Sequence, residues 1–374
     1  MIPVNRPLIT GDDRLAVSQS VEATFISGES PPVKSFERNL EATLGVQHAA
    51  AFSSGTTALD ICIEALNIQP GDRCVVPTFT IISTVSSLLR KGAILVLVDS
   101  DPDSWSMDSS KAAHLIDNSV KLVLPVHIYG LSVDMQPIIN KSSESNSFVL
   151  EDAAEALGVN YYDKPCGTIG DAGIFSFYAN KIVTGGEGGA VVSNSSDFIE
   201  RVSYLRNLCF DPGERFVHSE LGWNGRMNGL AAALASSQLS RLHQLVELKK
   251  ELGRKYREGL DIHPWFKFQP KETTSSSNLY WVFGALLRND APINAKELQS
   301  VLKSKGIETR RFYCPIHLQP LGRSSQFEIT DNLKVAENLW ERGLYFPSGL
   351  GNTAEEIEKT IDVLWSLVAD FEAV

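Results

Sequence analysis

Seven short apolar runs, spaced from about residue 35 to about residue 195, limit the folds open to this chain more than any other feature. They are Ala49–Phe52, Arg73–Val76, Ile94–Val98, Leu122–Val126, Phe148–Leu150, Ala172–Ser176 and Ala190–Ser193. Several are apolar almost without interruption, whereas a strand with one wet face alternates apolar and polar residues. Strands of this kind need helices on both faces, and helix-like stretches lie between them. Helix starts are predicted after Ser54-Gly55-Thr56 and after Thr80, where hydroxyls can cap free backbone amides. The pattern predicts an α/β fold built on a mostly parallel, seven-stranded sheet.

Downstream, Gly229 to Gly259 reads as one long helical segment rich in Ala, Leu, Gln, Glu and Lys. Trp281–Leu287 reads as a strand, Ala295–Lys305 as a helix, and a last helix begins at Ala354. The Ser-rich stretch Lys141–Ser147 reads as a surface loop. A chain of 374 residues suits two domains. We expect a large domain over 1–245 and a smaller α+β domain over 246–374.

The net charge of -11 argues against a general nucleic-acid binder, which needs a basic face. It leaves small anionic ligands open, because a few local donors can hold a phosphate inside an acidic protein. Cys62, Cys74, Cys166, Cys209 and Cys314 are odd in number and widely spaced, which points to free thiols in a reducing compartment. The amino terminus lacks the pattern of a signal peptide, and no apolar run reaches the ~18 residues of a membrane helix. A cytoplasmic protein without membrane partners is expected.

In open α/β sheets ligands bind beyond the carboxyl ends of the strands, so the residues there are the candidates for chemistry. After the first run, Gly55 and Thr56 open a helix whose free amides can cup an anion. After the second comes Phe79. The fifth delivers Glu151 and Asp152, with Glu155 one helical turn further on, and the sixth ends at Ser176 and leads to Lys181 and the run Thr184-Gly-Gly-Glu-Gly-Gly189. Each feature has an ordinary reading on its own: a capped helix, a core phenylalanine, acids complementing a helix dipole, a solvated lysine. The glycines fit neither a P-loop nor a dinucleotide fingerprint. Pyridoxal phosphate unites them, since it needs a lysine for its aldehyde, a carboxylate for its ring nitrogen, a phosphate cup and a stacking aromatic. Lys181, Asp152, the Gly55-Thr56 turn with Ser176, and Phe79 supply these in turn. His127 reads as a structural histidine, and the other histidines show no metal-ligand spacing, so no metal is expected.

The ordered motifs S-S-G-T-T-A-L, V-P-T-F-T, P-V-H-I-Y-G, E-D-A-A-E-A-L-G, S-F-Y-A-N-K-I-V-T-G-G-E-G-G and G-W-N-G-R-M-N resemble those of the DegT/DnrJ/EryC1/StrS sugar aminotransferases. The likeness runs from Phe25 to the Leu344–Gly349 region. It implies a fold type I, pyridoxal-phosphate-dependent homodimer with active sites at the subunit interface and L-glutamate as amino donor. It also implies a keto-sugar acceptor. Within the family the chain resembles the GDP-perosamine synthases in carrying Glu rather than Gln at position 155, and in the stretch Leu205–Phe216. Carried over by motif, Lys181 holds the cofactor, Asp152 faces its ring nitrogen, Glu155 sits near its phenolic oxygen, and Asn224 reaches the phosphate of a partner subunit's site. Arg226, Tyr313 and His317 are expected near the sugar. Some relatives are 3-dehydratases with histidine in place of the lysine, a reading that Lys181 opposes. Aminotransfer to a sugar without a nucleotide, such as a modified octulosonate, stays open, as does a non-catalytic regulator that only binds the cofactor. Gly185 and Gly225 depart from the family pattern, which has threonine and a bulky aromatic there. Loss of the aromatic is expected to open space beside Asn224 and to alter substrate choice.

Overall fold

The structure, a computed structural model, describes residues 1–211, 213–321 and 324–372. Pro212, within the Leu205–Phe216 stretch, lies outside them.

The apolar runs form the strands of the main sheet: β1 (His48–Phe52), β2 (Arg73–Pro77), β3 (Ile94–Val98), β4 (Val120–Val123) and β5 (Phe148–Asp152). A small hairpin, β6 (Asn160–Tyr161) and β7 (Lys164–Pro165), precedes β8 (Ala172–Ser176) and β9 (Gly189–Ser193). Further along lie β10 (Phe266–Lys267), β11 (Phe283–Leu287), β12 (Arg310–Arg311), β13 (Phe327–Glu328) and β14 (Gly343–Phe346). The main sheet runs β1-β9-β8-β5-β4-β2-β3-β13. Only β9 is antiparallel to its neighbours. The remaining pairs are parallel.

Burial on both faces explains the unbroken apolar runs. Leu95 and Leu97 of β3 join one core with Ala58, Leu59 and Ile61 of the helix Gly55–Ala65 and Val85 and Leu88 of the helix Ser83–Lys91. Their neighbours Val96 and Val98 join the opposite core with Phe36 and Leu40 of the helix Pro31–Leu44 and Ala232 and Ala235 of the helix Gly229–Leu239. Each strand residue therefore meets a helix whichever way it points.

Several expectations are corrected. Among the described residues the main sheet has eight strands, because Phe327–Glu328 crosses from the C-terminal part to pair with Leu95 and Val96. The expected single helix from Gly229 to Gly259 breaks at Ser240-Arg241 into Gly229–Leu239 and Leu242–Leu260. Lys141–Ser147 is not a loop: most of it belongs to the helix Met135–Ser145, where the Ser145 hydroxyl donates back to the Lys141 carbonyl. Serine is a poor helix former chiefly when its hydroxyl competes for backbone groups outside the helix, and here the bond lies within it. The helix after Thr80 starts only at Ser83, and the Thr80 hydroxyl pairs with Thr84 rather than capping it.

The C-terminal part builds a second, antiparallel sheet, β10-β11-β14-β12. Its core joins Phe283, Ala285, Leu344 and Phe346 to Tyr256, Leu298, Ile357 and Leu364 from the surrounding helices. We propose on this basis a division at 245/246. Two exchanges cross it: β13 joins the main sheet, and Ile2 pairs with Ile307 beside the second sheet.

His127 and Glu151 are both buried, with His127 Nε2 2.9 Å from Glu151 Oε2. Glu151 also accepts the backbone N–H groups of Gly167, Ile169 and Gly170 at 2.6–2.8 Å. This carboxylate pins the loop between β7 and β8 to β5. Glu151→Ala strands the imidazole, the buried Gly167 amide and two partly buried amides, so urea denaturation should show a loss of about 3–5 kcal/mol. A loss below about 1 kcal/mol would contradict this role.

Candidate active site

The site grows from the carboxyl ends of β1, β5 and β8. Where β1 ends, Ser54 caps the helix Gly55–Ala65 by accepting the Thr57 N–H at 3.0 Å. A Cβ on Gly55 would come within 3.1 Å of Ser176 Cβ, so the turn lies flat against the end of β8. On Gly189 it would collide with the Ser54 carbonyl. Gly189 thus packs backbone to backbone against this helix start, while Gly186 and Gly188 take the positive φ values of 81° and 150° that favour glycine. Gly55, Thr56 and Ser176 line one end of a cavity of about 290 Å³.

Asp152, Glu155 and Lys181 line the same cavity. Asp152 is buried and accepts the Thr84 hydroxyl at 2.8 Å and the Ala154 N–H at 3.2 Å. Burial pushes its carboxyl above the usual range, against those two donors and the charges of Lys181 and His127. Glu155 accepts the Tyr129 N–H and the Tyr313 hydroxyl, each at 2.7 Å. Burial pushes it up to about 7. Lys181 Nζ stands 3.9 Å from the centre of the Trp281 ring and has no hydrogen-bond or ion-pair partner among the described residues. Desolvation lowers its affinity for a proton, opposed by the charges of Glu155 and Asp152.

Of the remaining expected residues, Tyr313 lines the cavity. Phe79 does not. It is buried 6.0 Å from Tyr129 and Phe312, ring to ring, and the cavity wall of that segment is Thr80 and Ile81. Both residues lie past the end of β2, where no strand pairing fixes alternation, and the chain there turns Phe79 into the aromatic core while leaving Ile81 exposed. His317 is also outside the lining: Nδ1 is 2.7 Å from the Thr78 hydroxyl and Nε2 is 3.2 Å from Glu337, which fixes both nitrogens structurally. Asn224 is exposed and Arg226 bonds Asn207, and neither lines the cavity of its own chain.

The space expected beside Gly225 is not there. Gly225 is buried, its carbonyl accepts the Ser53 N–H at 2.7 Å, and a Cβ would lie 2.9 Å from Thr57 and 3.0 Å from Ile61. At Gly185 a Cβ would lie 2.8 Å from the Ala231 and Glu187 carbonyls. Gly225→Tyr should therefore overpack the site and cost about 1–3 kcal/mol in thermal or urea unfolding. Unchanged stability would show that the neighbours give way.

Sequence reasoning missed Thr84, Trp281, Arg310 and Tyr345. The signal for Thr84 was its place one turn after Thr80. The other three come from the second sheet and the segments beside it, which only the tertiary fold brings over the cavity.

The residues fit pyridoxal phosphate. A helix start and the Ser176 hydroxyl offer donors for a phosphate at one end. An amine without a hydrogen-bond partner among the described residues waits at the wall, and Lys181 and the exposed Arg310 are the described lining cations set against Asp152, Glu155 and Glu187, a deficit that a protonated ring nitrogen would make good.

The sequence profile of the DegT/DnrJ/EryC1/StrS aminotransferase family matches residues 7–364. The chain is 33% identical over 363 residues to GDP-perosamine synthase of Caulobacter vibrioides, covering 97% of each chain. The crystal structure of the aminotransferase TlmJ from Streptoalloteichus hindustanus superposes with a TM-score of 0.91 at 26% identity, covering 99% of both chains. A GDP-4-keto-6-deoxymannose-3-dehydratase with a trapped PLP-glutamate geminal diamine shares the fold at a TM-score of 0.90 and 22% identity, over 97% of this chain and 100% of that one. Among the described residues no helix is long and apolar enough to cross a membrane. The cofactor that the cavity fits is the one used across this fold type I group, and the chain belongs to the DegT/DnrJ/EryC1/StrS aminotransferase family as a pyridoxal-phosphate-dependent sugar aminotransferase.

Proposed function

We propose that the chain moves the amino group of L-glutamate to a nucleotide-linked 4-keto-6-deoxy hexose, as a GDP-perosamine synthase does. The observation that carries this reading is the identity with such a synthase along nearly the whole of both chains. Glu155, at a cavity position shared with Lys181 and Asp152, agrees with it.

Bound pyridoxal phosphate supplies an electron sink for the charge left when a substrate carbon loses its proton. Gly55, Thr56 and Ser176 would hold its phosphate, Asp152 its ring nitrogen and Lys181 its aldehyde carbon. The remaining work falls to the chain. Lys181 Nζ, with its proton affinity lowered by burial, would take the proton from the amine-bearing carbon of the substrate and return it two atoms along, across the nitrogen. Thr84 and the Ala154 N–H keep the Asp152 carboxylate turned into the cavity. Trp281, just before β11, covers the lysine, and Tyr345 of β14 adds a buried wall to the same cavity, which together exclude water.

The same reading makes the enzyme a cytoplasmic homodimer in which Asn224 and Arg226 serve a second copy's site. Its product would enter surface polysaccharide or lipopolysaccharide. A 3-dehydratase reading gains nothing from the shared fold, because Lys181 occupies the position where such relatives carry histidine.

The test is incubation with L-glutamate and GDP-4-keto-6-deoxymannose, with 2-oxoglutarate and the amino sugar followed by mass spectrometry. Stoichiometric formation of both supports the assignment. Turnover only with a keto sugar that carries no nucleotide would replace it.

A further inference from the structure

Glu155 is held more tightly than a cofactor contact requires. Each carboxyl oxygen accepts one donor at 2.7 Å: Oε2 the Tyr129 N–H and Oε1 the Tyr313 hydroxyl. To present that N–H, Tyr129 adopts φ 56°, a left-handed conformation uncommon for a bulky side chain. Tyr313 comes from the segment after β12, so this clamp joins the two sheets across the cavity.

The groups facing Glu155 come from every surrounding element. Asp152 lies on β5 with His127 acting on it from the turn after β4, Tyr129 lies on that same turn, and Lys181 and Glu187 lie on the loop after β8. Arg310 and Tyr313 lie on and after β12, and Tyr345 on β14. Among the described residues Lys181 and Arg310 are the cations of the lining, against Asp152, Glu155 and Glu187. Arg310 is exposed at the edge of the cavity, whereas Glu155 is buried beside Lys181. In the protein without cofactor, the lysine offsets two neighbouring carboxylates. Loading commits that amine to the cofactor, and the protonated ring nitrogen answers Asp152, which leaves Glu155 beside the phenolic oxygen that repels a carboxylate. With burial already holding Glu155 near neutrality, the cheapest relief is a proton on it.

We propose that Glu155 takes up a proton when pyridoxal phosphate binds, and that Tyr313 is a positioning residue that sets the pH at which this happens. The inference rests on the site reading above, with Glu155 facing the cofactor. Neutral Glu155 can then donate to the phenolic oxygen while both clamp bonds persist. The Tyr313 hydroxyl stabilises the charged form, so its removal raises the pH at which Glu155 ionises.

Titration calorimetry of the cofactor-free protein with pyridoxal phosphate, in buffers of different ionisation enthalpy, counts protons taken up per site across pH 6–9. Absorbance of the same samples reports binding. At pH 8 the wild type should take up close to one proton more than the isosteric Glu155→Gln variant. In Tyr313→Phe the pH of greatest uptake should rise by about one unit. Binding with equal uptake in wild type and Glu155→Gln overturns the proposal. An unmoved uptake curve in Tyr313→Phe overturns the part given to Tyr313. Absence of binding in the wild type fails the cofactor site itself, and this inference with it.

Discussion

Lys181→Ala leaves a folded protein that no longer transfers amino groups. The side chain is half-buried, makes no hydrogen bond or ion pair among the described residues and only approaches the Trp281 ring at 3.9 Å. Truncation breaks no hydrogen bond but removes the charge that offsets Asp152 and Glu155, so unfolding should change by no more than the ordinary mutational cost of about 0.5–3 kcal/mol. The amine is nonetheless both the covalent anchor and the base, and such groups act as a unit. Single-turnover rates with L-glutamate should fall by at least about 10⁴-fold, and the visible absorbance of lysine-bound cofactor should disappear. Lys181→Arg keeps the charge but should be equally inactive, because a guanidinium neither adds to an aldehyde nor gives up its proton at neutral pH. A Lys181→Ala enzyme within tenfold of wild type would mean that another group carries the chemistry.

Asp152→Asn should be the next most damaging change. The amide keeps the volume and can still accept from Thr84, so the cavity stays intact. It cannot hold a proton on the ring nitrogen, and a neutral ring is a poor electron sink. Removal of one such preorganised charge is worth about 10²–10³ in kcat, and KM for glutamate should move much less. Thr84→Val should give a smaller effect in the same direction, since it only frees the carboxylate to turn. Near-normal turnover of Asp152→Asn would require a different partner for the ring nitrogen.

The strands were legible because burial on both faces writes itself into sequence as unbroken apolar runs, and Ile94–Val98 and Ala172–Ser176 have the predicted limits. The groups at strand ends were legible for the same reason: topology puts Ser176, Asp152 and the Gly55 turn on one edge. What failed depended on neighbours remote in sequence. Phe79 reads as a ring-stacking residue until Tyr129, Phe312 and Tyr313 are seen to enclose it. Gly225 reads as a vacancy until Thr57 and Ile61 fill it. His317 reads as a substrate contact until Thr78 and Glu337 occupy both nitrogens. Two-residue β13 carries no periodicity of its own, and only its register against Leu95 and Val96 makes it a strand. Thr84, Trp281 and Tyr345 gain a role only through positions that other segments fix.

The central claim is that Lys181, Asp152 and the Gly55 turn form one working transaminase site. The most direct measurement is the visible spectrum of the purified protein loaded with pyridoxal phosphate, recorded before and after L-glutamate and then after GDP-4-keto-6-deoxymannose. The account predicts that a lysine-bound band is present, bleaches with glutamate, and returns with the keto sugar. A band that glutamate leaves unchanged, or no band at all, would contradict it.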